Sequence, residues 1–254
     1  STNYLDTGLV NDTTYCYYIK SFGHYSSPLI QRPLVNLSQI SCAFPRDTIP
    51  PCSPKLSVQT PCEDLSSDSF KLENKLSWTF DESCGADIVR YNIFFQEDST
   101  STVSLIGSTF AKEDTTYLHA LPQNIAGCYF VTALDRLNNE SPKDNRVCVD
   151  NCPIYELPNT FTPNGDGAND LFTPRKPYRF VNRVEFKVFN RWGEKIFETT
   201  DPELNWDGKD QKTGKAMPDG VYYYGGYYYE SRLGGEIKRP LPTKKGGGFI
   251  ELLR

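Results

Sequence analysis

The sequence predicts an all-β chain built as β-sandwiches in tandem, and three observations carry that reading. The 254 residues include 18 Gly and 18 Pro, which cut the chain into short runs separated by turns. Apolar residues make up 38% and aromatics 13%, enough for real cores and too much for a disordered chain. Those residues fall in short β-prone runs, some with the period-2 alternation of a half-buried strand, as in Val184-Glu185-Phe186-Lys187-Val188. The length corresponds to about two domains at roughly 100 to 200 residues each.

Charge and composition exclude several classes of function. A net charge of −5 argues against nucleic-acid binding, which wants a strongly basic face. No stretch approaches the roughly 18 apolar residues of a membrane helix, so no direct membrane insertion is expected. The chain opens on Ser1 rather than Met and shows no signal peptide, which suggests a processed product or the C-terminal piece of a longer protein. Cysteines stand at 16, 42, 52, 62, 84, 128, 148 and 152, none in a C-x-x-C knuckle, with only His24 and His119 to complete a metal site. An even count at wide spacing suits a disulfide framework in an oxidising compartment better than zinc.

A repeat organises the first 150 residues. Asn3-Tyr4-Leu5, then Tyr15-Cys16-Tyr17-Tyr18-Ile19-Lys20-Ser21, then Cys42 is echoed by Thr116-Tyr117-Leu118, Gly127-Cys128-Tyr129-Phe130-Val131-Thr132-Ala133 and Cys148. Each copy reads as three strands: one carrying the Tyr, one opening with Cys and one closing with the second Cys. The second copy has strands ahead of it at 55–59, 74–80, 88–96 and 102–106, rich in β-formers. The first has none, and three strands alone bury too little. Residues 1–48 are therefore expected to be the C-terminal half of a domain whose front half lies upstream. Residues 49–152 are expected to be a complete one, with Asn138-Asn139-Glu140-Ser141 turning after its sixth strand.

This second block resembles a fibronectin type III or related immunoglobulin-like sandwich, on Leu76-Ser77-Trp78, Tyr91-Asn92-Ile93-Phe94 and Cys128-Tyr129-Phe130-Val131-Thr132-Ala133-Leu134-Asp135. In that setting Trp78 is expected in the core rather than stacked on a sugar. The same topology pairs cysteines by the pole each occupies: Cys16–Cys42 and Cys128–Cys148 on neighbouring strand ends, then Cys62–Cys152 and Cys52–Cys84. A Cys62–Cys84 bridge competes, and sequence alone leaves the connectivity open.

From Pro153 there are no cysteines and the balance turns mildly basic, with 16 Lys and Arg against 14 Asp and Glu. Strands are expected at 184–190, 195–198, 220–230 and 248–253, in a second sandwich. The tyrosines at 222–224 and 227–229 read as a strand with one face packed and one exposed. Residues 157–170, Leu157-Pro158-Asn159-Thr160-Phe161-Thr162-Pro163-Asn164-Gly165-Asp166-Gly167-Ala168-Asn169-Asp170, open the domain. Phe189-Asn190-Arg191-Trp192-Gly193-Glu194, Asn205-Trp206-Asp207-Gly208-Lys209, Pro218-Asp219-Gly220-Val221-Tyr222 and Lys245-Gly246-Gly247-Gly248-Phe249 follow. In order and spacing these motifs resemble the gliding-motility-associated C-terminal domain, or type B sorting domain, of the Bacteroidota type IX secretion system, over residues 153–254.

The resemblance implies a non-catalytic C-terminal end of a secreted cell-surface protein, with a gliding adhesin as the expected cargo. It also implies recognition of the folded domain by the type IX translocon and an outer-membrane barrel protein of the PorV or PorP/SprF type. Exposed turn residues are then the candidate contacts, while the glycines and Trp192 are expected to hold the fold. The segment from Arg232 to Gly248, with Lys238-Arg239-Pro240 and Lys244-Lys245, is expected to be a mobile hairpin or to order on a partner.

Other chemistry is sparse. Asn164, Asp166 and Asp170 have the oxygen spacing of a calcium loop, but Lys176 stands where a bidentate Glu belongs, and a turn that bonds its own backbone is the preferred reading of the same residues. Asp98-Ser99-Thr100 and three similar stretches resemble a short O-glycosylation motif. No P-loop, dinucleotide fingerprint or nucleophile elbow is present, and no enzyme or further cofactor is expected. The alternative reading is a set of carbohydrate-binding accessory modules of a secreted hydrolase.

Overall fold

The computed structural model describes residues 3–30, 33–64, 70–84, 87–242 and 246–254. The two lysines singled out at 244 and 245 lie outside them. Every regular element among the described residues is a strand or a short 3-10 turn.

Strand β1 (Tyr15–Tyr17) pairs antiparallel with β4 (Ser41–Ala43), Cys16 facing Cys42, and β2 (Lys20–Gly23) pairs with β3 (Leu34–Leu37). Ser38 joins the two ladders: its Oγ accepts from Ile19 N at 2.7 Å and its N–H donates to Ile19 O at 2.8 Å. Residues 3–5 form no strand, which corrects the expectation of three. The matching strand of the second copy, Thr116–Ala120, is held by Glu73–Thr79. Ile19 and Phe22 are 73% and 64% exposed, whereas their repeat counterparts Val131 and Leu134 are 0% and 4% exposed.

The second block has two sheets. Strands β5 (Lys55–Gln59), β6 (Glu73–Thr79) and β9 (Thr116–Ala120) make one; β7 (Arg90–Gln96), β8 (Ser104–Thr109), β10 (Gly127–Leu134) and β11 (Val147–Val149) make the other, in the order β11-β10-β7-β8. Leu76, Trp78, Ile88, Tyr91, Ile93, Phe95, Tyr129, Val131 and Ala133 fill the space between them. Trp78 packs edge-on against Tyr91 at 5.3 Å and is a core residue. Strand β11 is too short to cover β10, and Asn145 extends it: its side-chain amide accepts from Val131 N at 3.2 Å and donates to Val131 O at 2.7 Å. The turn after β10 forms around the Asp135 carboxylate, which accepts from Leu137 N and Asn139 N.

The last hundred residues form one six-stranded sheet in the order β12-β17-β15-β13-β14, from β12 (Thr160–Phe161), β13 (Val181–Phe189), β14 (Lys195–Thr199), β15 (Gly220–Arg232), β16 (Gly235–Pro240) and β17 (Gly247–Leu252), with β16 beside the second half of β15. The layer facing it is not a second regular sheet. It is irregular chain held by the bridges Ile154–Arg179, Phe172–Trp206 and Lys209–Ala216. Between the layers lie Phe161, Phe172, Val184, Phe186, Val188, Trp206, Tyr222, Tyr224, Ile250 and Leu252. Tyr222 and Tyr224 point inward and Tyr223 and Tyr227 outward; Tyr229 is buried, with the Arg183 guanidinium 3.4 Å from its ring centre. At Gly226 the strand passes so close to β13 that a Cβ would fall 1.6 Å from Glu185 O. The β14 edge is closed by Gln211, whose amide bonds both Glu198 N (3.0 Å) and Glu198 O (3.2 Å).

One buried group links the second block to pH. The Tyr129 hydroxyl receives a bond from Asn74 Nδ2 at 2.9 Å and lies 2.9 Å from His119 Nδ1, so the neutral imidazole is the acceptor there. Burial lowers the His119 pKa, so the unfolded chain takes up a proton in a range where the folded one does not. Its contribution to stability is full above about pH 6.5 and is lost as pH falls through the lowered folded value. A melting-temperature series across that range should fall toward acid in the wild type and flatten in a His119→Gln variant.

Candidate functional site

Four separated motifs of the last domain meet at one pole of its sheet. Strand β12 runs parallel to β17, with Phe161 opposite Leu252, so the loop after β12 and the chain end emerge together. Strand β13 ends and β15 begins at the same side, with Phe189 opposite Tyr223. Beneath the pole, Trp206 is fully buried, 5.2 Å from the Phe161 ring and 5.5 Å from Tyr222, and its Nε1 donates to Lys209 O at 2.8 Å.

The loop from Thr162 to Asp170 is built by its own side chains. Asp170 accepts from Gly165 N (2.6 Å) and Gly167 N (2.8 Å), Asp166 from Ala168 N (2.8 Å), and Asn164 from Asp166 N (3.1 Å). The Ala168 N–H and the Asn164 amide hold the Asp166 carboxyl below its ordinary range. Thr162 N donates to Asn169 O and closes the loop at 2.9 Å. A calcium ion would have to compete for these same oxygens, and Lys176 is engaged with Glu203 at 2.9 Å. The donor set fits the backbone-bonding turn.

The β13–β14 turn is organised by buried Asn190, whose Oδ1 accepts from Trp192 N and Glu194 N, both at 3.0 Å. Because Asn190 occupies the inside of the turn, Trp192 projects outward and is 81% exposed, with the Arg191 guanidinium 5.4 Å from its ring. This corrects the expectation that Trp192 holds the fold. Gly193 follows in the same exposed turn.

The other two motifs close the pole. Asp207 accepts from Lys209 N at 3.0 Å, and Gly208 lies under Leu252 and Pro163 at positive φ, where a Cβ would meet them at 2.9 and 3.1 Å. The Tyr222 hydroxyl donates to Pro218 O at 2.7 Å. Arg254 ties these segments, bonding Met217 O, reaching Gly208 O at 3.3 Å and pairing with Asp219 at 3.5 Å. Arg191 Nη2 lies 3.5 Å from where a Cβ on Gly220 would sit. Farther along, Asn159 O accepts from Glu251 N at 2.7 Å and half-buried Pro158 precedes it. The fifth motif, around Gly246–Phe249, lies at the opposite end of β17. Sequence reasoning missed Arg254, since a lone Arg carries no spacing signal, and it placed Asn190 in a motif turn without assigning it the organising role.

The cysteines join as Cys16–Cys42, Cys52–Cys84, Cys62–Cys152 and Cys128–Cys148. Asp98 caps Thr100 and Ser101, which holds its carboxyl down at about 2. Asp47, Asp87 and Asp135 bring carboxylate oxygens within 4.8 Å of one another, with Asp135 already bonded to its own turn.

The fold and the pole define an all-β, disulfide-linked chain whose last domain presents a composite turn surface. Residues 155–236 match the CHU_C type IX secretion signal domain. The chain thus carries a type IX secretion signal, is handled by that machinery, and is exported to the cell surface or the extracellular space. No curated protein matches it. Similar solved structures include the chicken CNTN1 FN1-FN3 domains (TM-score 0.32, 10% identity, 86% of this chain and 74% of that one). Another is the central fibronectin-III array of RIM-binding protein (TM-score 0.28, 10% identity, 82% and 70%).

The two tryptophans of the pole should respond oppositely to truncation. Trp206→Ala should cost about 3–5 kcal/mol by denaturant unfolding, and Trp192→Ala should stay within about 0.5 kcal/mol of wild type.

Proposed function

We propose that the motif pole is the surface the type IX machinery reads, with Arg191 and Trp192 as its anchor. The partner in this reading is an outer-membrane barrel protein of the PorV or PorP/SprF type. The chain is then the non-catalytic end of a surface adhesin, exported and tethered through its last domain. The observation that carries the reading is Trp192, 81% exposed beside Arg191 at the point where four distant motifs converge. Exposed Trp and Arg are the side chains that most often dominate binding energy at interfaces. A pole fixed by buried Trp206 and by Arg254 also loses little conformational freedom on docking.

A second reading, glycan binding by an accessory module of a hydrolase, is favoured by Tyr223 and Phe249. They stand opposite each other on the outer sheet face, 54% and 50% exposed.

The test is export of a fluorescent reporter carrying a Sec signal and fused to residues 52–254, with and without Arg191→Ala/Trp192→Ala. The expected result is surface fluorescence for the wild type and periplasmic retention of the double variant at unchanged melting temperature. Export of the double variant at the wild-type level would contradict the anchor, and glycan retardation lost on Tyr223→Ala would favour the second reading.

A further inference from the structure

Two cross-strand disulfides occupy equivalent places in the internal repeat, and their surroundings differ. Cys16 stands opposite Cys42 and Cys128 opposite Cys148, with Cα atoms 4.0 Å apart in both pairs. In the first copy both cysteines are exposed, and Ile40, two residues before Cys42, is exposed as well. In the second copy Cys128 is 1% exposed, while Cys148 on the short strand β11 faces solvent. The residue two before Cys148 is Arg146, whose Nη2 lies 3.2 Å from Cys128 Sγ. Gln96, opposite Cys128 on β7, places that guanidinium. Its Nε2 donates to Ser101 O at 2.9 Å, which leaves its Oε1 to accept from Arg146 Nη2 at 3.3 Å.

These differences decide how the second bridge meets a thiol. In thiol–disulfide exchange a thiolate must reach one sulfur while the other leaves as a thiolate, so access and leaving-group acidity set the rate. Cys148 is the sulfur within reach. Burial alone would keep the Cys128 thiol protonated, but its cover is polar, and a guanidinium N–H on the departing sulfur favours the anion through a charge-assisted hydrogen bond. Access and acidity therefore assign the same direction. Beyond Cys148 the chain enters the seam with the last domain, where buried Asn151 accepts from Ile125 N (2.9 Å) and Ala126 N (3.1 Å) and donates to Ser231 O at 3.1 Å. The Cys62–Cys152 bridge holds that end, and the Asn145 side chain still bonds Val131 on the other side. Opening Cys128–Cys148 thus frees the two sulfurs and leaves the strand fastened at both ends.

We propose that Cys128–Cys148 is a directional thiol-exchange site, attacked at Cys148 and released at Cys128, whose co-reactant is a dithiol. The dithiol's first thiolate forms a bond to Cys148 Sγ as the Cys148–Cys128 bond breaks, and the electron pair leaves on Cys128 Sγ against Arg146. The dithiol's second thiolate then attacks the dithiol sulfur of that mixed disulfide and displaces Cys148 as a thiolate. Two electrons pass to the bridge, the two thiol protons end on Cys128 and Cys148, and the dithiol becomes a disulfide. The reverse sequence closes the bridge again.

The test treats the full 254-residue chain with reduced glutathione, a monothiol that stops at the mixed disulfide, then blocks free thiols with N-ethylmaleimide and maps the peptides by mass. Glutathione should sit on Cys148 and N-ethylmaleimide on Cys128, about tenfold over the reverse arrangement. Cys16–Cys42 serves as the internal comparison in the same digest and should show no such bias, since Ile40 stands there in the place of Arg146. A second arm follows opening of the bridge by dithiothreitol. Arg146→Gln should slow it about threefold at unchanged melting temperature and unchanged rate for Cys16–Cys42, and Arg146→Lys should recover part of the loss. Glutathione found on Cys128 as often as on Cys148 would overturn the direction of attack. An Arg146→Gln rate equal to wild type, or an equal bias at Cys16–Cys42, would overturn the part given to the guanidinium.

Discussion

Strand β15 is the constraint on which the last domain depends. It pairs with β13, β16 and β17, and it reaches from the pole at Gly220 to the seam at Arg232. Its alternation sends Tyr222 and Tyr224 into the core beside Trp206 and Phe186, which fixes the floor under the motif turns. Its far end carries Ser231 and Arg232 to Asn151. One strand thus sets both the floor of the pole where the motif turns meet and the attachment of that pole to the rest of the chain. Gly226 makes this possible, because β13 approaches the strand too closely there for a side chain.

A single local device finishes the short strands of this Gly- and Pro-rich chain. Side-chain amides take the place of backbone where a strand runs out: Asn145 beside Val131, Gln211 beside Glu198, Asn190 inside the β13–β14 turn and Asn151 at the seam. Each satisfies backbone groups that would otherwise be left unpaired at an edge or in a buried turn. The cost of leaving such groups unmet explains why an exposed-looking polar residue recurs at buried positions. The same amides leave the apolar side chains free to alternate into the cores.

Much of the all-β architecture was legible because strands announce themselves by period and composition. Lys55–Gln59 and the runs through Trp78, Tyr91 and Tyr129 alternate or are β-rich, and the sheets form there. Trp78 could be assigned to a core because its block resembles a fibronectin-like sandwich, whose second strand carries a core tryptophan. Trp192 could not, because its direction is set by Asn190 inside a turn, and turn positions have no period. Residues 3–5 match the second copy in sequence yet form no strand, since a strand needs a partner as much as a propensity. The irregular layer of the last domain was invisible for a related reason. It is held by isolated bridges between Ile154 and Arg179 and between Phe172 and Trp206, which leave no pattern in sequence. Convergence of the four motifs at one pole is likewise a property of strand order, which no one motif encodes.

The central claim is that the secretion signal is a folded surface rather than a string of motif residues. Gly226→Val tests it most directly, since it alters no residue of the pole yet drives a side chain into the β13 backbone. A reporter fused to residues 52–254 with this substitution would be followed by immunoblot for intact periplasmic protein and by surface fluorescence for export. The account predicts intact fusion held in the periplasm, with every motif residue still present. Export at the wild-type level from a domain shown by circular dichroism to have lost its sheet would contradict it.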